Sequence, residues 1–439
     1  MAKEIKHIND TVSDLPESFK MTELGPLPEE WKVVRLGKVV KTTKGKRPKD
    51  LLSKFSSKTI PYLTADFFRT GVASKYVSLE KKDYVEVGKD DIIFIWDGSN
   101  AGDVFLGVEG ALASTMIKIE PLINVDKRFL FFFLKTKFEL FNSTTTGTTI
   151  PHVNKSIFEN LLVPLPPLSE QKAIAYVLQT VQRAKEATEK VIQATQELKK
   201  SLMRHLFTYG PVPVDEVDKV QLKETEIGLV PEHWEVVRLG DIFEIQQGKA
   251  LSPKHRMGKS PFPFLRTANI LWGQIDLSVV DEMDFTDEEV QRFKLLPGDL
   301  LVCEGGDIGR TAIWRGELSV CCYQNHIHRL RSKNQEIEAE FYMYWMQAAI
   351  LLFSLYLGQE NKTTIPNLSK SRLATFAVPF PSLLEQRAIA RVLQAVDKKL
   401  QVEKIRKQAL EILFQSLLHN LMTGKLRVKD TIFHEIKEE

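Results

Sequence analysis

The chain has 439 residues, 43% of them hydrophobic and 27% charged, with a formal net charge of +3 and three cysteines. That length exceeds one ordinary core, so two or more domains are expected, and the composition excludes a disordered chain. Bulk charge this small gives no argument for a nucleic-acid partner unless it is locally concentrated, and the odd cysteine count argues against a disulfide scaffold and fits a reducing cytoplasm.

Residues 1–21 are polar and mixed in charge, unlike a signal peptide. The next stretch, "TELGPLPEEWKVVRLG" at Thr22–Gly37, returns as "TEIGLVPEHWEVVRLG" at Thr225–Gly240. Trp31 and Trp234, followed by paired valines, are expected to open a strand and pack a core. Runs such as "DIIFIWDGSN" and "GDLLVCEGGD" carry strand and turn signals. The turns "DGSNAG" (Asp97–Gly102) and "EGGDIG" (Glu304–Gly309) occupy matching places, as do two "TTIP" segments at Thr148–Pro151 and Thr363–Pro366. Two apolar runs, Phe129–Leu134 and Tyr342–Leu357, fall short of the roughly 20 residues a membrane span needs. Both are predicted to be buried helices.

"PLPPLSEQKAIAYVLQTVQ" (Pro164–Gln182) returns as "PFPSLLEQRAIARVLQAVD" (Pro379–Asp397), and each opens a long proline-free segment of helical period. In the first, Ile174, Val181 and Leu202 fall on a seam of period 3.5, with Val177, Val191, Leu198 and His205 on its second row and Leu178, Ile192 and Leu206 widening it. In the second, Ile389, Val396, Leu410 and Leu417 form the matching seam, beside Leu393, Leu400, Phe414 and Leu421. Ser382 and Glu385 are placed for a capping box, and glycines near "FTYGPVP" and "MTGKL" mark the ends. At 1.5 Å per residue, forty residues make a rod of roughly 60 Å. One amphipathic rod is not stable alone, and two copies can bury each other's seams.

The chain is therefore a tandem duplication. The predicted fold is α+β: a mixed α/β head followed by a long helix, written twice, with the helices paired as an antiparallel coiled coil. In chain order this gives an N-terminal tail (1–21), a first head (22–166), a central helix (167–210), a linker (211–224), a second head (225–381), a C-terminal helix (382–424) and a C-terminal tail (425–439). The tail after the second helix parallels the linker after the first, which suggests a return towards the N-terminal head. Antiparallel helices would carry the heads about a pseudo-two-fold axis, matching the dyad of duplex DNA.

Local charge supports that partner. Lys41, Lys44, Lys46, Arg47, Lys49, Lys54 and Lys58 crowd the segment after the first "VVRLG", and Lys249, Lys254, Arg256, Lys259 and Arg266 follow the second. Lys44, Lys46, Arg47, Lys249 and Arg256 are candidate phosphate or base contacts. Asn100, Gln246, Gln247, Arg266 and Asn269 are candidate base readers, because Arg pairs guanine and Asn or Gln pairs adenine. Each also suits the plainer reading of a surface turn residue.

Motifs for chemistry are missing. "MGKS" at Met257–Ser260 lacks the first glycine of a phosphate loop, since position 253 is Pro253. No methylation motif and no nucleotide-cofactor fingerprint is present. Cys303, Cys321, Cys322, His326 and His328 lack zinc spacing and read as ordinary strand residues. No catalytic residue and no metal site is predicted.

In order and in residues, the chain resembles the specificity (S) subunit of type I restriction–modification enzymes. The resemblance rests on Pro28, Trp31, Val34, Leu36 and Gly37, then Pro164, Pro166, Glu170, Gln171, Ile174 and Leu178. It is repeated by Pro231, Trp234, Val237, Leu239 and Gly240, then Pro379, Pro381, Glu385, Gln386, Ile389 and Leu393. It implies a non-catalytic, cytoplasmic DNA-recognition subunit. Each head would read one part of a bipartite double-stranded target, and the helices would set the unread gap. Two methyltransferase subunits would dock near the helices, and restriction subunits would complete the complex. S-adenosylmethionine, ATP and Mg would be used by those partners, with no cofactor in this chain. The alternatives are a single-chain restriction–methylation enzyme, which the absent motifs disfavour, and a structural helical adaptor with no use for the basic loops.

Overall fold

The computed structural model describes residues 18–122, 124–147, 149–251, 258–356 and 368–428. The chain divides at Thr188/Glu189 and again at Ile405/Arg406 into two compact units. Each unit holds a head, the first half of the helix that follows it, and the last half of the other copy's helix.

In the first unit a hairpin (Phe19–Thr22 with Gly25–Pro28) leads to Lys32–Arg35, which pairs antiparallel with Leu162–Leu165 where the chain leaves the head. The main sheet is antiparallel, in the order Val40–Lys44, Met116–Pro121, Ile92–Ile95, Val104–Leu106. A second sheet orders Tyr76–Ser78, Thr59–Leu63, Gly110–Leu112 and Glu86–Val87, with Thr59–Leu63 and Gly110–Leu112 running parallel. All four residues of Ile92–Ile95 are buried. Side chains alternate across a strand, so Ile92 and Phe94 enter one core while Ile93 and Ile95 enter another. The first core is covered by α1 (Lys127–Lys135), where Asp126 caps the helix by accepting from the amides of Arg128 and Phe129. Phe129 to Leu134 are all buried there, so the first apolar run is a core helix.

The second unit repeats this plan. Its main sheet orders Phe243–Gln247, Ile327–Ser332, Leu300–Cys303 and Thr311–Ile313, and Glu235–Arg238 pairs with Ala377–Phe380. Leu300 and Val302 face one core, Leu301 and Cys303 the other. The second apolar run forms a buried helix, Ala339–Leu351, that ends before Leu357, a residue outside the described ones.

The long helices are α2 (Leu168–Tyr209) and the C-terminal helix Leu383–Met422. Within each unit their halves pair antiparallel. In the first, Lys185 pairs with Glu411 and lies 4.7 Å over the Phe414 ring. In the second, Lys199 sits 2.7 Å from Asp397 and 5.1 Å over Tyr344, whose hydroxyl donates to Asp397 at 2.8 Å. The seam of the C-terminal helix runs through Ile389, Leu393, Val396, Leu400, Leu410, Phe414, Leu417 and Leu421, as its period predicts. In α2 the row through Ile174, Val181 and Leu202 faces inward, but the second row is shifted by one residue. Leu178, Ile192 and Leu206 are buried, whereas Val191 and Leu198 are 39% and 52% exposed. Steps of four then three, instead of three then four, keep the same period and turn the larger side chains inward. Leu198 is thus corrected from a seam residue to an outward-facing one.

The repeated Glu-Gln pair at each helix start is a structural latch. Trp31 is fully buried, and its indole N–H must find an acceptor. It donates to Glu170 Oε2 at 2.9 Å; in the second unit Trp234 donates to Glu385 Oε1 at 3.0 Å. Gln171 and Gln386, 1% and 0% exposed, each accept one loop amide (Asp126, Glu338) and donate to two carbonyls. Ser382 and Glu385 also form the capping box.

The other copy's helix then closes each head. Leu418, Leu421 and Met422 join the core around Trp31, while Met203, Leu206 and Phe207 join that around Trp234. Beyond the C-terminal helix, Arg427 donates from Nε to Glu170 Oε1 (2.6 Å) and from Nη2 to Glu170 Oε2 and Glu30 Oε1 (both 3.0 Å). The tail therefore returns to the N-terminal head as far as Val428; the residues after it lie outside the described ones.

Two outcomes follow. Leu206→Ala will lower unfolding free energy by about 2–5 kcal/mol, and Leu198→Glu will change it by no more than about 0.5 kcal/mol, both read from denaturant midpoints. Equal costs would restore the heptad seam with Leu198 inside. Burial pushes the Glu385 carboxyl up, but hydrogen bonds from Trp234, His233 and Ser382 outweigh it and leave the pKa below its ordinary value. A carboxyl lowered by folding contributes stability above its unfolded pKa and loses it as pH falls through the folded one. Glu385→Gln will therefore flatten the fall of stability on acidification below the ordinary glutamate range; an unchanged slope in a pH series of denaturation curves would refute the latch.

Candidate nucleic-acid interface

The basic segment of the first head begins where the strand Val40–Lys44 ends. A Cβ on Gly45 would lie 2.1 Å from the Ala113 carbonyl oxygen, and one on Gly248, the matching residue, 2.3 Å from that of Gln324. Only glycine fits so close an approach. The shared Gly-Lys of the two otherwise different loops is thus a backbone requirement at glycine, where each loop crosses the sheet end.

Beyond the glycine the two heads differ. Lys46 and Arg47 are exposed and make no ion pair with a described residue. Lys249, the counterpart of Lys46, is 7% exposed. Its ammonium lies 2.6 Å from Glu289 and 2.7 Å from the Asp284 carbonyl, 4.7 Å over the Phe285 ring. Lys249 therefore anchors its loop from inside, and an ammonium so enclosed has no face left for a phosphate. Asn269 is likewise 7% exposed, accepting from the Arg266 amide and donating to the carbonyls of Asp276 and Val279. Both candidates become loop-holding residues. Arg266 is exposed, with Asp281 at 2.7 Å. Arg256 and Lys254 lie outside the described residues.

The glycine-bearing turns supply a carboxylate to the same strand end in each head. Asp97 takes Lys44 Nζ at 3.3 Å and His152 Nδ1 at 2.6 Å. Glu304, only 5% exposed, accepts from Gln247 Nε2 at 3.1 Å, with His326 Nδ1 at 3.6 Å. Lys44 and Gln247 are thus equivalent residues oriented by equivalent acids, and Gln247 also donates to the Asn325 carbonyl at 2.9 Å. These acids were legible only as turn residues; their partners come from strands and loops far apart in sequence. Asn100 is half-buried in the Asp97 turn, its amide 3.2 Å from Ser99 Oγ. Gln246 is half-buried within its strand and paired with Arg329.

In the first head, Lys41, Lys44, Lys46, Arg47, Lys49, Lys54 and Lys58 are all exposed. Lys58 reaches Glu80 at 3.0 Å, and Asp50 is taken by Lys81 at 2.6 Å. Exposed pairs of this kind contribute little and can exchange for phosphate oxygens. The surface is strongly basic. The three thiols are buried, and burial raises Cys303 to about 11 and Cys321 and Cys322 to about 12, so all are protonated at neutral pH. Cys303, Cys322 and His328 lie on strands of the second unit. Among the described residues no group of three or more His, Cys, Asp or Glu side chains could hold a metal ion, and no helix is long and apolar enough to cross a membrane.

Known proteins share the duplicated sequence and the fold. The type I restriction modification DNA specificity domain matches residues 28–200 and again 231–412. The chain is 34% identical over 412 residues to the type I restriction enzyme MjaVIII specificity subunit of Methanocaldococcus jannaschii, covering 91% of this chain and 93% of that one. It is 27% identical over 335 residues to the EcoBI specificity subunit of Escherichia coli, covering 73% and 69%. The crystal structure of a type I restriction–modification S subunit from M. genitalium superposes with a TM-score of 0.59 at 20% identity, covering 89% of this chain and 96% of that one. With its domain present twice and in order, the chain belongs to the type I restriction–modification DNA specificity family.

Proposed function

We propose that this chain is the non-catalytic subunit that selects the DNA target of a type I restriction–modification complex. Each head reads one part of a bipartite duplex sequence, and the two long helices set the unread gap. The observation that carries this reading is the duplicated head with an unequal loop surface. The frame (tryptophan, Glu-Gln latch, glycine crossing) is the same twice, while the side chains presented at the sheet ends differ, as two heads reading different bases require.

Two methyltransferase subunits dock on the outward faces of the long helices and bring S-adenosylmethionine; restriction subunits, with ATP and Mg, join them. Apolar exposure on those faces supports the docking. On α2, Ala187, Val191, Ala194 and Leu198 are exposed at spacings of four and three. On the C-terminal helix, Val402, Ile405 and Ile412 are 53%, 54% and 72% exposed, with exposed Ala409 on the same face. An exposed apolar stripe beside a helix's buried seam, turned about 100° from it, fits a partner helix.

Methylome sequencing of a strain expressing this chain with its methyltransferase will show methyladenine in a bipartite motif with a gap of several base pairs. A continuous motif, or one independent of this chain, would overturn the reading. The double variant Leu198→Glu, Ile412→Glu will fold normally but weaken co-purification with the methyltransferase at least tenfold. Undiminished association would place docking elsewhere.

A further inference from the structure

One exposed feature of the first head is not explained by charge. Phe55, in the middle of "KGKRPKDLLSKFSSK", is 69% exposed, and Leu52 and Leu79 are 42% and 43% exposed. The three surround the strand Tyr76–Ser78, the edge of its sheet. Leu52 bridges to the backbone of Tyr76 with bonds of 2.9 Å each way, the Phe55 ring lies 5.7 Å from that of Tyr76, and the Leu79 amide donates to the Lys58 carbonyl at 2.9 Å. Thr59 and Ser56 close the turn after Phe55 through hydrogen bonds of 2.9 Å. Phe55 is therefore held outward by a braced loop. Single exposed apolar residues need no explanation, but a cluster of three on a sheet edge does.

Its surroundings say what covers it. Lys49, Lys54, Lys58, Lys75, Lys81 and Lys82 are exposed along the same loop and edge. Of the nearby acids, Asp50 is occupied by Lys81, Glu80 by Lys58, and Asp83 accepts from the Lys49 amide at 3.1 Å. A hydrophobic partner surface would have to bury uncompensated ammonium groups around the ring. Between two rows of phosphates a DNA groove presents thymine methyls, and base steps that an apolar wedge can part, which fits an aromatic ring flanked by lysines.

We infer that Phe55 is a specificity-determining residue of the first head: it enters a groove of duplex DNA and makes apolar contact with the bases, while Lys49, Lys54 and Lys58 hold the phosphates beside it. This rests on the target-selection reading above. Lysine contacts give affinity with salt dependence and no sequence information, whereas the ring acts only where the base edges suit it.

The test uses the full chain assembled with its methyltransferase subunits, on the cognate duplex and on duplexes with either half-site randomised. Phe55→Ala is expected to lose at least tenfold affinity for the cognate duplex. It should lose less than twofold on the duplex whose first-head half-site is randomised, leave the salt slope unchanged, and relax the methylated motif in that half alone. Lys54→Gln with Lys58→Gln is expected to weaken binding to all three duplexes and to lower the salt slope by about 0.9 for each phosphate no longer neutralised. Binding of Phe55→Ala to the cognate duplex within twofold of wild type, at an unchanged thermal midpoint, overturns the inference. If the lysine pair is also silent, the patch faces an acidic protein and the inference fails too. If wild type itself ignores both half-sites, the target-selection reading has failed, a result distinct from a silent Phe55 in a complex that still discriminates.

Discussion

Neither head can complete its core from its own copy of the sequence. The walls around Trp31 and Trp234 are finished by the last turns of a helix that begins in the other copy: Leu418, Leu421 and Met422 for one, Met203, Leu206 and Phe207 for the other. Burying a tryptophan contributes through apolar area, and its indole N–H must still be satisfied. Glu170 and Glu385, each in the first turn of a long helix, accept that N–H, and Glu385 also caps its helix with Ser382. The helix thus ties a head at one end to a core wall at the other.

The exchange is reciprocal but chemically unequal. In the second unit, chain connectivity carries α2 into the linker and the next head. In the first, Arg427 supplies the closure by binding Glu170 and Glu30. The residue matching Glu30 is His233, which itself reaches Glu385 at 2.8 Å. A cation therefore completes the buried carboxylate's partners in one unit and a histidine in the other. A carboxylate as enclosed as Glu170 needs such partners, because an unpaired buried charge is costly.

Frame and loop surface are under different physical constraints in such an arrangement. Gly45 and Gly248 are bound to a close backbone approach, and Gln171 and Gln386 to loop carbonyls, so a substitution at any of them breaks a frame contact. The residue after each glycine is free of that constraint. Lys46 points to solvent, while Lys249 has been drawn into the loop's interior by Glu289 and Phe285. The two heads present different surfaces on one scaffold, which suits the proposed reading of two DNA segments.

The repeat, the head-plus-helix order, the two buried apolar helices and the family were legible in the sequence, because they rest on identity at fixed order and on local periodicity. The helix period was legible too, but not which second row faces inward in α2. That choice turns on one residue of rotation, and Leu198 and Leu206 look alike in a heptad until a partner surface selects between them. Burial of Lys249 and Asn269 was equally invisible, since Glu289, Asp284, Asp276 and Val279 are brought to them only by the folded sheet. Composition and spacing determined what kinds of elements form and how often. The tertiary structure decided which charged groups remain exposed, because desolvating an ammonium or an amide depends on partners that are remote in the chain.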